Sequence, residues 1–192
     1  MRAANLITFS LLLLTATPFV QLQAEDWPQF RGPNCAGISL SKQPLATTFS
    51  PTKNIAWEAS LGDGIGCPVV AAGRVFVSSM LDANTVALTG FEAKTGKQLW
   101  QRSWPTGTLV EIHKTNSQAA TTPCADSQRV YFYFSTLGLI SVNAETGTDE
   151  WAIKMPTPFF VFKWGAGMSP VLHGDKLIFC QDDDIHPGIM VV

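Results

Sequence analysis

The sequence predicts an all-β fold of repeated antiparallel units, and three observations carry that prediction. "AKTGKQLW" (residues 93–100) recurs 51 residues later as "AETGTDEW" (144–151). "PVVAAGRVFV" from Pro68, "PCADSQRVYF" from Pro123 and "PVLHGDKLIF" from Pro170 superpose without a gap. No stretch keeps apolar residues at three- and four-residue spacing over a helical length, which disfavours a helical solenoid. A supersecondary unit repeated at this period stacks on its neighbours to bury a core that it cannot bury alone.

Residues 1–24 read as a secretory signal peptide. Met1 and Arg2 give a positive start, an apolar run covers 6–20, and Ala24 offers a small residue for cleavage. The run is shorter than the roughly 20 residues a bilayer-spanning helix needs, so no membrane span is expected in the mature chain. The remaining 168 residues suit one domain, and their 12 Lys and Arg against 15 Asp and Glu leave 3 net negative charges. That balance argues against nucleic acid or an anionic membrane surface as partner. With 46 % hydrophobic and 15 % charged residues the chain has enough apolar surface for a packed core.

After the leader, 25–53 reads as an extended N-terminal segment and "NIAWEASLG" (54–62) as a single strand carrying Trp57. The repeated units then follow at about 63–104, 118–155 and 165–192. Each opens with a proline at a strand start, where a missing N–H costs least. A tight turn comes next, at Ala72-Gly73, Ser127-Gln128 or Gly174-Asp175, and after it a strand rich in β-branched and aromatic residues. Runs 85–93 and 138–145 supply a third strand in the first two units. The Thr95-Gly96 and Thr146-Gly147 turns return the chain into a fourth strand ending at Trp100 or Trp151. Four antiparallel strands in roughly 45 to 55 residues, stacked radially, make the blade of a β-propeller. In that arrangement the Gly supplies positive φ at the turn, and the Trp covers the seam to the next blade, burying on the order of 200 Å².

The alternation of "PVVAAGRVFV" with "AKTGKQLW" resembles the PQQ-like (pyrroloquinoline-quinone-like) propeller repeat shared by quinoprotein dehydrogenases and BamB-type outer-membrane assembly proteins. The start "EDWPQFRGPNCAGIS" is similar to exported propeller proteins of this kind in planctomycete bacteria, as are "HKTNSQAATTP" and "KWGAGMSPVLHGDKLIF". The resemblance covers essentially all of 25–192. It implies an exported, periplasmic or envelope-associated propeller with a protein partner. The family usually carries Asp three residues before the Thr-Gly pair, where this chain has Glu92 and Asn143; both can still cap a turn.

Trp100 lies 26 residues after Arg74 and Trp151 lies 22 after Arg129, which places a third Trp at 198–202 when counted from Lys176. The chain stops at Val192, so the arithmetic predicts about two and three-quarter blades: the N-terminal part of a longer, ring-closing protein.

Residues that bear chemistry are sparse. Asp182, Asp183 and Asp184 lack the alternating ligands and distal Glu of an EF-hand and read as a solvated loop. "GDGIG" (62–66) opens no helix and has no phosphate-loop Lys. Cys35, Cys67, Cys124 and Cys180 show no Cys-x-x-Cys spacing, and an oxidising compartment would permit three pairings that sequence does not rank. The best recognition surface is the loop leading into the second blade, with His113, Lys114 and Asn116, together with Trp164 in the equivalent loop before Pro170; in a closed ring the first would face the central funnel. Three functions stay open. They are a noncatalytic scaffold resembling BamB, part of a quinone-dependent dehydrogenase, and a carbohydrate or small-ligand module suggested by Trp164. The resemblance implies that PQQ and calcium would bind only through ligands in further blades, since this chain lacks the adjacent Cys pair of the dehydrogenases.

Overall fold

The computed structural model describes residues 25–192; the expected leader, 1–24, lies outside them. The described residues form an all-β structure of three antiparallel sheets, and a single 3-10 turn at Pro33–Cys35 is their only helical element. The first sheet runs β1 (Val69–Ala71), β2 (Arg74–Asp82), β3 (Thr85–Glu92) and β4 (Gln98–Pro105) in sequence order. The second repeats that order with β5 (Cys124–Ala125), β6 (Arg129–Phe134), β7 (Gly138–Asn143) and β8 (Asp149–Ile153). The third holds β9 (Val171–His173), β10 (Lys176–Gln181) and β11 (Gly188–Val191). The sheets are blades of an open β-propeller, with β1, β5 and β9 side by side as the innermost strands.

Local chemistry sets each turn. Ala72 and Gly73 both take positive φ (48° and 75°) between the paired residues Ala71 and Arg74, as a mirror-image hairpin turn requires. At the second hairpin Asp126 Oδ1 accepts the N–H groups of Gln128 and Arg129 (2.7 and 2.8 Å), so a side chain does the work glycine does elsewhere. Between β6 and β7 a three-residue loop closes onto Gly138 at φ 89°, where an added Cβ would lie 2.2 Å from the Ile153 carbonyl oxygen. Only glycine fits there.

Two apolar clusters fill the seams. One joins Phe76, Val86 and Leu88 of the first blade to Val130, Phe132 and Val142 of the second. The other joins Tyr133 and Leu139 to Leu177 and Phe179 of the third, with the Tyr133 and Phe179 rings 4.3 Å apart.

Two expectations change. Residues 54–62 form no strand: the segment is extended but makes no ladder of its own, and only Ser50–Lys53 before it and Asp63–Met80 after it pair. Its backbone finds no neighbouring strand, and its side chain Trp57 makes the contact instead. The acidic loop is not wholly solvated. Asp183 is buried because its Oδ1 caps the turn formed by the N–H groups of Ile185 and His186, and its Oδ2 accepts from Gln181.

Candidate functional site

The repeated Thr-Gly-Trp residues meet across blades. Trp100, on β4, turns its indole N–H to the Ala144 carbonyl of the second blade (3.1 Å), and its ring lies on Gly147, where an added Cβ would sit 2.6 Å from it. Gly147 holds φ 71°, so both the backbone and the ring demand glycine. Trp57 repeats the contact one blade earlier, donating to Ala93 O (2.8 Å) and covering Gly96. Thr146 secures its turn by donating backbone N–H and hydroxyl to Asn143 Oδ1 (3.0 and 3.2 Å), while the Thr95 hydroxyl donates to the Glu92 carboxylate. Trp151 has no Thr-Gly turn facing it among the described residues. It stays half-buried against Tyr131 (5.9 Å between centroids) and lines an open groove of about 390 Å³ with Arg129, Leu172 and Leu177. Burial, with the Asp126 carboxylate 3.2 Å away, pushes the Tyr131 phenol up to about 12.

Three of the four recognition residues come together. The His113 N–H donates to the Lys163 carbonyl (2.6 Å), the Asn116 amide donates to the Trp164 carbonyl (2.5 Å), and the His113 and Trp164 rings lie 5.3 Å apart. Gly165, at φ 82°, lets this happen, since a Cβ there would reach 2.8 Å from Ile112 and 2.9 Å from the Asn116 amide nitrogen. The Thr115 N–H donates to His113 Nδ1 (3.3 Å), and the Thr115 hydroxyl lies 2.8 Å from the same nitrogen. Lys114 stands apart, exposed beside this cluster.

Sequence reasoning missed what surrounds it. Phe159, Val161, Phe162 and Trp164 all project into solvent, Phe162 with 74 % of its surface exposed. They are held rather than loose. The Asp184 N–H donates to Phe159 O (3.0 Å), the Val161 N–H to the Asp184 carboxylate (2.8 Å), and Lys163 to Glu111 (2.6 Å). Between Val110 and Glu111 on one side and 158–163 on the other lies a cleft of about 250 Å³ with mostly apolar walls. The run "FFVFKW" was the available signal, since that many apolar residues in an inter-blade loop have no strand to belong to.

A second missed device runs between blades at the residue before each repeat proline. The Cys67 N–H donates to the Thr122 hydroxyl (3.0 Å), and the Thr122 N–H donates to the Ser169 hydroxyl (3.0 Å).

Among the described residues no three His, Cys, Asp or Glu side chains gather as metal ligands. The Asp183 carboxylate is already saturated by two backbone N–H groups and an amide, and these hold its pKa below the usual carboxylate value against the opposing effect of burial. Among the described residues no helix is long and apolar enough to cross a membrane.

A family model described as outer membrane protein assembly factor BamB matches residues 38–182. No curated protein matches the chain. Among solved structures, BamB from Moraxella catarrhalis aligns at 15 % identity and TM-score 0.42, over 65 % of this chain and 33 % of that one. A europium-containing methanol dehydrogenase aligns at 17 % identity and TM-score 0.43, over 69 % of this chain and 23 % of that one. The quinohemoprotein alcohol dehydrogenase ADHIIG from Pseudomonas putida HK5 aligns at 13 % identity and TM-score 0.46, over 70 % and 20 %. The chain thus spans about a third of the BamB structure and about a fifth to a quarter of the two dehydrogenases.

Proposed function

The chain belongs to the PQQ-like repeat family whose model is described as outer membrane protein assembly factor BamB, and on that premise we propose that it is an exported, noncatalytic propeller that presents its inter-blade loops to a protein partner. The observation that carries this reading is the aromatic rim at 159–164. Large apolar side chains that face water on a backbone anchored by four hydrogen bonds suit docking, because little entropy is lost when a partner covers them. His113 and Asn116 position the rim, Lys114 offers a charge at its edge, and the cleft beside Phe159 and Phe160 is large enough for one partner side chain.

A photo-crosslinking residue placed at 162 in the living host tests it. One discrete crosslinked envelope protein is expected, together with a roughly tenfold or greater loss of that crosslink when Phe159 and Trp164 are both changed to Ala. A crosslink unchanged in the double variant, or none in a host that exports the protein, defeats the reading. Export itself is read separately, by alkaline phosphatase activity of a fusion to residues 1–60. A fusion that is produced but shows no phosphatase activity removes the exported part of the proposal.

A further inference from the structure

Residues 26–29 form a strap along the free edges of all three inner strands. The Val70 N–H donates to the Trp27 carbonyl (2.9 Å), the Ala125 N–H to the Pro28 carbonyl (2.8 Å) and the Leu172 N–H to Gln29 Oε1 (2.8 Å). Val70, Ala125 and Leu172 occupy one position of the repeat, two residues after its proline. Three consecutive strap residues thus supply one acceptor each to the same N–H of three consecutive blades. The Trp27 N–H returns a bond to Val70 O (2.8 Å), and Asp26 Oδ1 accepts the Ala72 N–H (3.0 Å) at the first hairpin turn. An inner strand has a sheet partner on its outer side alone, so these are the N–H groups that a blade by itself leaves unpaired.

The strap is braced as one piece. The Trp27 ring lies on Gly32, where an added Cβ would sit 2.5 Å from it, and Gly32 holds φ 69°. The Gly32 N–H donates to Gln29 O (2.8 Å), so the residue that grips the first blade and the residue that grips the third are tied through the same glycine. The Gln29 side chain is itself fixed at both polar atoms. It is buried, with Oε1 on the Leu172 N–H and Nε2 donating to Cys35 Sγ (3.4 Å). The chain beyond it is folded back by bonds from the Cys35 N–H to Gly32 O (3.1 Å) and from the Gly37 N–H to Arg31 O (2.7 Å).

The apolar filling has a shorter reach. One cluster joins the first blade to the second, and the other joins the second to the third. Stacked repeats held only by such seams interact with their nearest neighbours and open locally, unit by unit. The strap adds a connection that runs from the first blade to the third. We propose that it is a clamp that docks and releases as one unit, so that loosening it at one blade frees the inner edges of all three. Release exposes the Val70, Ala125 and Leu172 N–H groups together, while the sheets behind them stay paired. The clamp depends neither on export nor on a partner at the aromatic rim, and its failure would leave both readings untouched.

Hydrogen exchange of the purified full chain, read amide by amide by NMR, tests the clamp. Gln29→Ala removes the acceptor for the third blade. It is expected to speed exchange of the Leu172 N–H roughly fivefold or more, and to speed the Val70 and Ala125 N–H groups by a comparable factor, although their own acceptors are main-chain carbonyls that the change leaves in place. Asp26→Ala, at an exposed side chain, removes a bond to the first blade alone and is expected to speed Leu172 exchange about two- to threefold. The Phe76 and Phe132 amides, inside the first and second sheets, keep their wild-type rates in both variants. Acceleration confined to the blade whose bond was removed would make the contacts independent clasps and overturn the proposal. Unchanged rates at all three amides, or equal acceleration at Phe76 and Phe132, would overturn it as well. Should Gln29→Ala fail to fold, the response of Leu172 to Asp26→Ala decides alone.

Discussion

The seam between the first and second blades and the seam between the second and third use the same kind of apolar filling but end differently at the outer edge. At the first, Trp100 is 9 % exposed, bonded to Ala144 and seated on Gly147. At the second, Trp151 occupies the same repeat position, half-buried over an open groove. Each tryptophan packs on its own sheet, Trp100 against Phe76 (5.7 Å between centroids) and Trp151 against Tyr131. What differs is the Thr-Gly turn of a neighbour, which offers Trp100 one bare carbonyl and one glycine face. Trp57 makes the point from the other direction: lying on no strand, it still takes the same seat on Gly96.

The sharpest way to break this comparison is to truncate both rings. Trp100→Ala removes a buried indole and leaves a cavity, so urea denaturation should show a loss of about 3–5 kcal/mol. Trp151→Ala removes a ring that solvent already reaches and should cost about 1–2 kcal/mol. Equal losses would mean that the neighbouring turn contributes nothing. Next in size is the turn itself: Gly147→Ala forces a Cβ into the Trp100 ring at φ 71° and should cost about 2 kcal/mol, whereas Ala at Gly174, where nothing lies within 4 Å of the new Cβ, should cost about half that.

The hydroxyl relay gives a smaller effect at the inner edge of the same seam. Thr122→Val keeps the shape but leaves the Cys67 N–H without its acceptor, for an expected loss of about 1–2 kcal/mol by the same unfolding measurement. Ser169→Ala does the same to the Thr122 N–H at the second seam. If only the first variant is destabilised, the two inner seams are unlike as well.

What was legible in the sequence was what repeats. Prolines, Thr-Gly turns and β-branched runs recur at fixed spacing, and three sheets in meander order follow from them. The segment 54–62 was misread because its Trp matches the one that ends each blade, while a strand also needs a partner edge, which lies outside the segment's own letters. Asp183 was misread for a related reason: three adjacent acids look solvated until one is recruited to cap a turn. His113, Asn116 and Trp164 were each visible, but Lys163 and Gly165, which join the two loops, were not, because backbone hydrogen bonds between loops 50 residues apart leave no periodic trace. The strap at 26–29 was invisible for the same reason.

The smallest expected effect concerns an ion pair that joins the outer strands across the first seam. Arg102 on β4 and Asp149 on β8 make a two-point contact, Nε to Oδ1 at 2.9 Å and Nη2 to Oδ2 at 2.5 Å, with both side chains nearly half exposed. The hydrogen bond from Arg102, aided by its charge and opposed by burial, holds the Asp149 carboxyl below its ordinary 3.8, and the same bond raises the guanidinium. A carboxyl lowered in the folded state binds its proton more readily when unfolded. The stability it contributes is complete above the unfolded value and disappears as pH falls through the folded one. Solvent screening limits that contribution to about 0.5 kcal/mol. The urea midpoint of wild type should therefore fall more between pH 6 and pH 3 than that of Asp149→Asn, and 1 M salt should shrink the difference at pH 6. An identical pH response in the two proteins would show that Trp100 and its turn hold this seam without help from charge.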